Sequence, residues 1–149
     1  PDFGNLRKLT YTTSVLEESL RLYPPAWLFS REATRDAAYN GWHLKKGDIV
    51  TVCPYNLQRD ARFWDNPTQF NPDRFAADAP DPRKNTYLPF GGGARVCIGQ
   101  QFAILEALVV TSALIRDAVW TRGDRPKVVP EAKITLRPLG GMEFDVRAR

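Results

Sequence analysis

Cys97 closes a glycine-rich run and opens the most apolar stretch of the chain: Phe90-Gly91-Gly92-Gly93-Ala94-Arg95-Val96-Cys97-Ile98-Gly99. A thiol can serve as a soft metal ligand or a nucleophile, in both cases as the thiolate. The three glycines let the backbone turn tightly and approach a flat ligand. Cys97 lies at the opening of the helix expected to follow, whose free N–H groups and macrodipole favour an anion there, which stabilises the thiolate. Arg95, two residues earlier, can pair with a carboxylate on the ligand. A phosphate cradle is the competing reading of such a loop. It fails, because no Gly-Lys-Ser/Thr ending is present and the dinucleotide pattern lacks its third glycine. A buried, inert cysteine is the remaining alternative.

A second group of charged residues stands upstream. At about 100° per residue, Tyr11, Val15 and Leu22 share one narrow helical face, and Glu18 falls in its middle. A carboxylate on an apolar stripe needs a partner, because an unpaired buried charge is costly. Arg21 is within reach three residues on. Arg74, in Pro72-Asp73-Arg74-Phe75, offers five donors in a planar fork and can bracket the same carboxylate. The other arrangement open to these residues is a surface pair of Glu17 with Arg21, with Arg74 a solvated loop arginine. Cys53, Cys97 and the single histidine, His43, stand at no metal-ligand spacing, so no zinc site of the usual kinds can be assembled.

The elements that position these residues follow from periodicity and turn chemistry. Thr10 to Leu22 reads as a helix that stops at Tyr23-Pro24-Pro25. Arg31 to Leu44 reads as extended chain folded at Asn40-Gly41. Gly47-Asp48 makes a second turn, and Ile49 to Cys53 a β-branched strand closed by Pro54. The segment from Pro54 to Pro89 is irregular, with at most a short helix, and that length points to function or a special packing role. Ile98 to about Val119 is the clearest helix. Ile98, Phe102, Leu105, Val109 and Ala113 keep helical spacing, and Ala103, Val110 and Leu114 widen the stripe enough to imply deep burial. Lys133 to Arg149 reads as a hairpin around Pro138 to Gly141.

The 149 residues, 43% hydrophobic and 26% charged, have ordinary globular composition and length for one modest core. The net charge of +4 is spread out, without the basic stripe and aromatic partners of a nucleic-acid binder. It suits a mildly basic face for an acidic protein partner. No apolar run is long enough to span a bilayer. Two cysteines make no disulfide framework, which points to a reducing compartment and a cytoplasmic enzyme. The first residue is Pro1 and the only methionine is Met142. Translation is therefore expected to start upstream, where any membrane anchor would also lie.

The ten-residue run resembles the cysteine-loop signature of the cytochromes P-450, Phe-x-x-Gly-x-Arg-x-Cys-x-Gly, at every fixed position. Glu18-x-x-Arg21 is similar to the Glu-x-x-Arg motif of that family, here within Glu18-Ser19-Leu20-Arg21-Leu22-Tyr23-Pro24-Pro25. Phe70-x-Pro72-Asp73-Arg74-Phe75 resembles its Pro-Glu-Arg-Phe motif, with aspartate for glutamate. The three stand in the family's order, and the resemblance covers essentially all 149 residues. It implies a mainly α architecture with small β-sheets, of which this chain is the C-terminal portion. Gln58 departs from the histidine frequent before Arg59-Asp60, and nothing in the sequence gives it a functional role.

The resemblance also implies roles. Cys97 would be the axial thiolate of haem b (iron protoporphyrin IX), and backbone N–H groups around Ile98 and Gly99 would hydrogen-bond its sulfur. Gly93 belongs to the same loop, and Phe90 would shield the proximal face. Arg95 and Arg31 would pair with propionates. Glu18, Arg21 and Arg74 would form a buried ion network. Trp27, Leu28 and Phe29, with Ile134, Thr135 and Leu136, would line a site for a hydrophobic substrate, although Trp27 reads equally well as core packing. The implied activity is a monooxygenase using dioxygen and electrons from NAD(P)H, relayed by a flavin or iron–sulfur partner that Arg83 and Lys84 would help dock. The alternatives are a haem-thiolate isomerase, dehydratase or peroxygenase, or a non-catalytic fragment. The helix carrying the oxygen-activating acid–alcohol pair would lie upstream of Pro1.

Overall fold

The computed structural model describes residues 3–6, 8–79 and 85–149. α1 (Phe3–Leu6) is a single turn, and α2 (Thr10–Leu22) spans the stretch that its periodicity predicts. α2 closes where the Tyr23 N–H donates to Ser19 O at 2.8 Å. Pro24 and Pro25 follow, and proline cannot continue a helix. Ser14, Glu18, Arg21 and Leu22 are buried, the spacing of one helical face. That face is rotated from the expected one, since Tyr11 is exposed. Ser14 takes its place because its Oγ donates to Phe75 O at 3.1 Å, fastening α2 to the 3-10 turn Pro72–Phe75.

Two nested hairpins come next. β1 (Phe29–Glu32) pairs antiparallel with β4 (Ile49–Val52), with Phe29 opposite Val52. Inside them β2 (Ala37–Tyr39) pairs with β3 (Trp42–Leu44) across Asn40-Gly41. Both turn residues have positive φ, 48° and 82°, as a tight hairpin turn requires. The extended stretch expected from Arg31 to Leu44 is therefore divided between two sheets. The break falls at residues 33–36, where the Ala33 N–H donates to Asp48 O at 2.9 Å and Ala33 O accepts from the Gly47 N–H at 2.8 Å. The return turn is held by carboxylates, the Lys45 N–H donating to Asp48 Oδ2 and the Lys46 N–H to Asp36 Oδ1, each at 2.8 Å.

α3 (Pro54–Leu57) is one turn opened by proline at its first position. The irregular segment after it is anchored rather than loose. The rings of Trp64, Phe75 and Tyr87 pack with centroids 5.1 to 6.5 Å apart, and Trp64 and Phe75 belong to the small apolar core with Leu6, Leu22 and Leu108.

α4 (Gln100–Asp117) begins two residues later than expected and ends where Ala118 enters β5 (Ala118–Thr121). β6 (Pro130–Ala132) and β7 (Leu136–Pro138) form a hairpin, and β5 pairs with β8 (Asp145–Ala148). The C-terminal hairpin therefore turns at residues 133–135. Pro138 is still in its strand, and Gly140 and Gly141, with φ of 70° and 84°, redirect the chain toward β8. Deep burial of α4 is also corrected: only Leu108 is buried, and Phe102 is 72% exposed. α2 packs against α4. Cover from one side cannot bury a helix that is apolar around most of its circumference.

Candidate functional site

Arg21 and Glu18 are both fully buried. The pair is bidentate, with Arg21 Nε donating to Glu18 Oε2 at 2.6 Å and Nη2 to Oε1 at 2.8 Å. The remaining guanidinium donors reach Gln58 O at 2.6 Å, Pro67 O at 2.7 Å and Gln69 O at 3.2 Å. All five donors of the fork are thereby satisfied. The Asn71 N–H donates to Glu18 Oε1 at 2.8 Å. Arg74 Nε faces the same oxygen at 3.6 Å, an electrostatic contact too long for a hydrogen bond, and its Nη2 donates to Asn66 O at 3.1 Å. The three charged residues predicted to form a network are thus together. Their main effect is to hold backbone: three carbonyls and one N–H of the irregular segment are bound to this pair, and the guanidinium lies 5.0 Å from the centroid of the Trp64 ring.

Gln58 extends the network. It is fully buried, and its Nε2 donates to Leu20 O at 3.1 Å and Arg21 O at 2.9 Å. Its Oε1 accepts from the Leu88 N–H at 2.7 Å. Sequence reasoning missed this residue, since a lone glutamine in an irregular segment carries no periodic signal. Ser14 was also missed, yet its position four residues before Glu18 on the same face could have revealed it. Next to Gln58, Arg59 lies between the rings of Tyr55 and Tyr23. Burial lowers its pKa, and the two tyrosines oppose that shift.

The cysteine loop is shaped by its own backbone. The Gly91 N–H donates to Leu88 O, the Val96 N–H to Gly93 O and the Cys97 N–H to Phe90 O, at 2.9 to 3.1 Å. Gly91 and Gly93 hold φ of 73° and 65°, a region that side chains with a Cβ rarely adopt. A Cβ on Gly92 would come within 3.3 Å of the Leu88 side chain. Cys97 is unpaired and exposed, and Gly99 caps α4 just beyond it. Cys53 is also unpaired, with its thiol directed at Trp27 O at 3.3 Å.

Cys97 lies on the wall of an open cleft of about 530 Å³. α2 contributes Leu16, Ser19 and Leu20, and α4 contributes Ala103, Ile104 and Ala107. Phe29, Arg31, Phe90 and Arg95 line the same space. Its size falls in the range of small-molecule sites, about 300–1,000 Å³. Among the described residues neither Arg31 nor Arg95 meets a carboxylate. Arg31 lies over the Phe29 ring and donates to Ser30 O. A cysteine, two guanidinium groups that meet no carboxylate among the described residues, and apolar walls fit a flat, apolar, dianionic metal complex.

The other predicted residues divide. Gly93 and Ile98 belong to the cysteine loop but do not line the cleft, and Ile98 is fully exposed. Of the predicted substrate-lining residues, only Phe29 reaches it. Trp27 instead donates its Nε1 to Lys133 O at 2.7 Å, and the Leu136 N–H donates to Pro25 O at 2.9 Å. These bonds tie the segment after α2 to the β6–β7 hairpin, so the two predicted stretches do meet. Leu28 is exposed, Ile134 is wholly exposed at the hairpin tip beside Thr135, and Leu136 lines a separate apolar cavity with Tyr23 and Met142. Arg83 and Lys84 lie outside the described residues. No helix among the described residues is long and apolar enough to cross a membrane.

Comparison with known proteins agrees with this arrangement. The family model "Cytochrome P450" matches residues 1–142. Cyclooctatin synthase of Streptomyces melanosporofaciens is 38% identical over 139 residues, which are 93% of this chain and 29% of that protein. Human "Cytochrome P450 4V2" is 35% identical over 148 residues, 97% of this chain and 28% of that one. A solved structure, "Crystal structure of cytochrome P450DA heme domain", superposes with a TM-score of 0.92 at 26% identity. The match covers 100% of this chain and 33% of that chain. The chain spans about a third of the length of the curated relatives it matches. With the motifs, the cleft and the superposition in agreement, the chain belongs to the cytochrome P450 family.

Proposed function

We propose that this chain is the C-terminal portion of a single haem-thiolate domain and that the whole protein is a monooxygenase. It would insert one atom of dioxygen into a hydrophobic substrate, with electrons from NAD(P)H relayed by a flavin or iron–sulfur partner. The observation that carries this reading is Cys97 on the wall of an apolar cleft that Arg31 and Arg95 also line. Haem b, when bound, supplies a redox-active iron whose thiolate ligation favours O–O cleavage.

The chain's own residues prepare that site. Cys97 would provide the sulfur ligand, and Gly99 caps α4 just beyond it. Arg31 and Arg95 would hold the propionates with charge-assisted hydrogen bonds. Phe90, Leu16, Leu20 and Ile104 give the cleft apolar walls, which would lower the local dielectric around the sulfur once the cleft is filled. Glu18, Arg21 and Arg74 fix the backbone of the irregular segment at Gln58, Asn66, Pro67, Gln69 and Asn71. Phe29 contributes to the apolar surface offered to the substrate. A cytoplasmic location is part of the same proposal and rests on the two unpaired cysteines.

The test uses the full-length protein. Cys97→Ser is expected to abolish the thiolate-type spectrum of the reduced CO complex, and its persistence would remove Cys97 as the ligand. Turnover under isotopically labelled dioxygen then tests the reaction class. One labelled oxygen atom in the product supports a monooxygenase. Turnover without label incorporation would move the protein to the isomerase, dehydratase or peroxygenase class.

A further inference from the structure

We propose that Gln58 is a positioning residue that transmits the placement of α2 to the entry of the cysteine loop. The inference rests on Cys97 being the iron ligand for its functional consequence, but not for its geometry. α2 ends with carbonyls that have no partner within the helix. Two of them, Leu20 O and Arg21 O, are taken by the Gln58 amide nitrogen, and the amide oxygen at the other end accepts from the Leu88 N–H. With carbonyls at one end and an N–H at the other, only one orientation of the amide satisfies every group. The backbone of Gln58 is bound as well: its carbonyl accepts from Arg21 Nη1 and its N–H donates to Pro54 O.

Leu88 is the residue on which the loop folds. Its carbonyl accepts from the Gly91 N–H, and its side chain lies against Gly92. Two residues after Leu88, Phe90 O accepts from the Cys97 N–H. A short bonded path therefore runs from the end of α2 through Gln58, Leu88 and Phe90 to Cys97. The amide does not titrate, so the path keeps its bonds at any pH near neutrality. A neutral imidazole, with one donor and one acceptor, could hold Leu88 and one of the two carbonyls. A protonated imidazole could not accept from Leu88. The charged groups around position 58 are Arg21 and Glu18 from α2 and Arg59 beside it. Arg59 packs on the rings of Tyr55 and Tyr23, and Tyr87, next to Leu88, donates its phenol to Glu17 O at 3.1 Å.

Full-length protein carrying Gln58→Met or Gln58→His tests this. In Gln58→Met the Leu88 amide should exchange about tenfold faster than in the parent protein, relative to amides of α4, because one buried bond is lost. The share of reduced CO complex with the thiolate-type spectrum should fall in parallel. Gln58→His should restore both at pH 8 and lose both again near pH 5.5. If Gln58→Met does not accumulate, the pH response of Gln58→His alone decides. Unchanged Leu88 exchange in Gln58→Met, or a flat pH response in Gln58→His, would overturn the proposal. So would general destabilisation with a normal CO spectrum, which would make Gln58 a stabiliser of the fold and no more. Failure of the ligand assignment would look different: the unaltered protein itself would lack the thiolate spectrum, while Leu88 exchange would still report on Gln58.

Discussion

Replacing Arg21 by alanine tests how much the buried pair holds together. Counted bond by bond, five charge-assisted hydrogen bonds at about 1.5–3 kcal/mol each would by themselves equal the whole stability of most domains, about 5–15 kcal/mol. That sum overstates the effect, because burying both ions cost solvation that the attraction largely offsets. What remains is the penalty of stranding one ion, about 3–5 kcal/mol. The structure places Arg21→Ala toward the lower end, since Glu18 keeps the Asn71 N–H and the Arg74 guanidinium. Against this, the carbonyls of Gln58, Pro67 and Gln69 lose their donor, so the irregular segment should loosen with it. The assay is urea unfolding of the full-length protein, with midpoints compared at constant slope, together with haem content. Arg21→Ala should unfold at distinctly lower urea and carry little haem. Glu18→Ala combined with Arg21→Ala should cost less than the two single changes added, because no charge is left without its partner. A change within about 0.5 kcal/mol for Arg21→Ala, the scale of an exposed ion pair, would refute the reasoning. Strict additivity in the double variant would refute it as well.

Trp27→Phe keeps an aromatic ring, though a smaller one, and removes the bond to Lys133 O, worth about 1 kcal/mol. The neighbouring Leu136 amide, bonded to Pro25 O, should then exchange roughly fivefold faster. Unchanged exchange would mean that the β6–β7 hairpin is held by packing alone. The Asp60 carboxyl is held down to about 2, chiefly by hydrogen bonds from the Arg62 side chain and backbone N–H. Because its folded pKa is depressed, its contribution is present above the ordinary carboxylate range and is lost as pH falls from about 4 toward 2. In an NMR titration Arg62→Ala should raise the Asp60 midpoint toward its ordinary value, and an unmoved midpoint would discard the side-chain pairing.

Much of the candidate site was legible in the sequence because local rules govern it. Gly91 and Gly93 are needed where φ is positive, and helical spacing set Glu18 on a buried face with Arg21 three residues on. The proline pair ended α2 where steric exclusion says that it must. The elements that were misplaced depend on pairing across distance. Nothing local reveals that Glu32 faces Ile49 and that Thr121 faces Asp145. Either partner would make an equally good strand elsewhere, so only closure of the sheets decides between them.

The sequence by itself determined the motifs, their order and the helices that present them, because dihedral preference and helical period act over a few residues. Tertiary structure decided three other things, of which the family resemblance had anticipated only the first. It brought Arg31, 66 residues before Cys97, to the same cleft, and it gave Trp27 a bond to the β6–β7 hairpin. It also turned Gln58 from a substitution without a role into the link between α2 and Leu88. The physical reason is the same in each case. A buried donor or acceptor must be satisfied, and which group satisfies it depends on what the folded chain carries past it, not on what stands beside it in sequence.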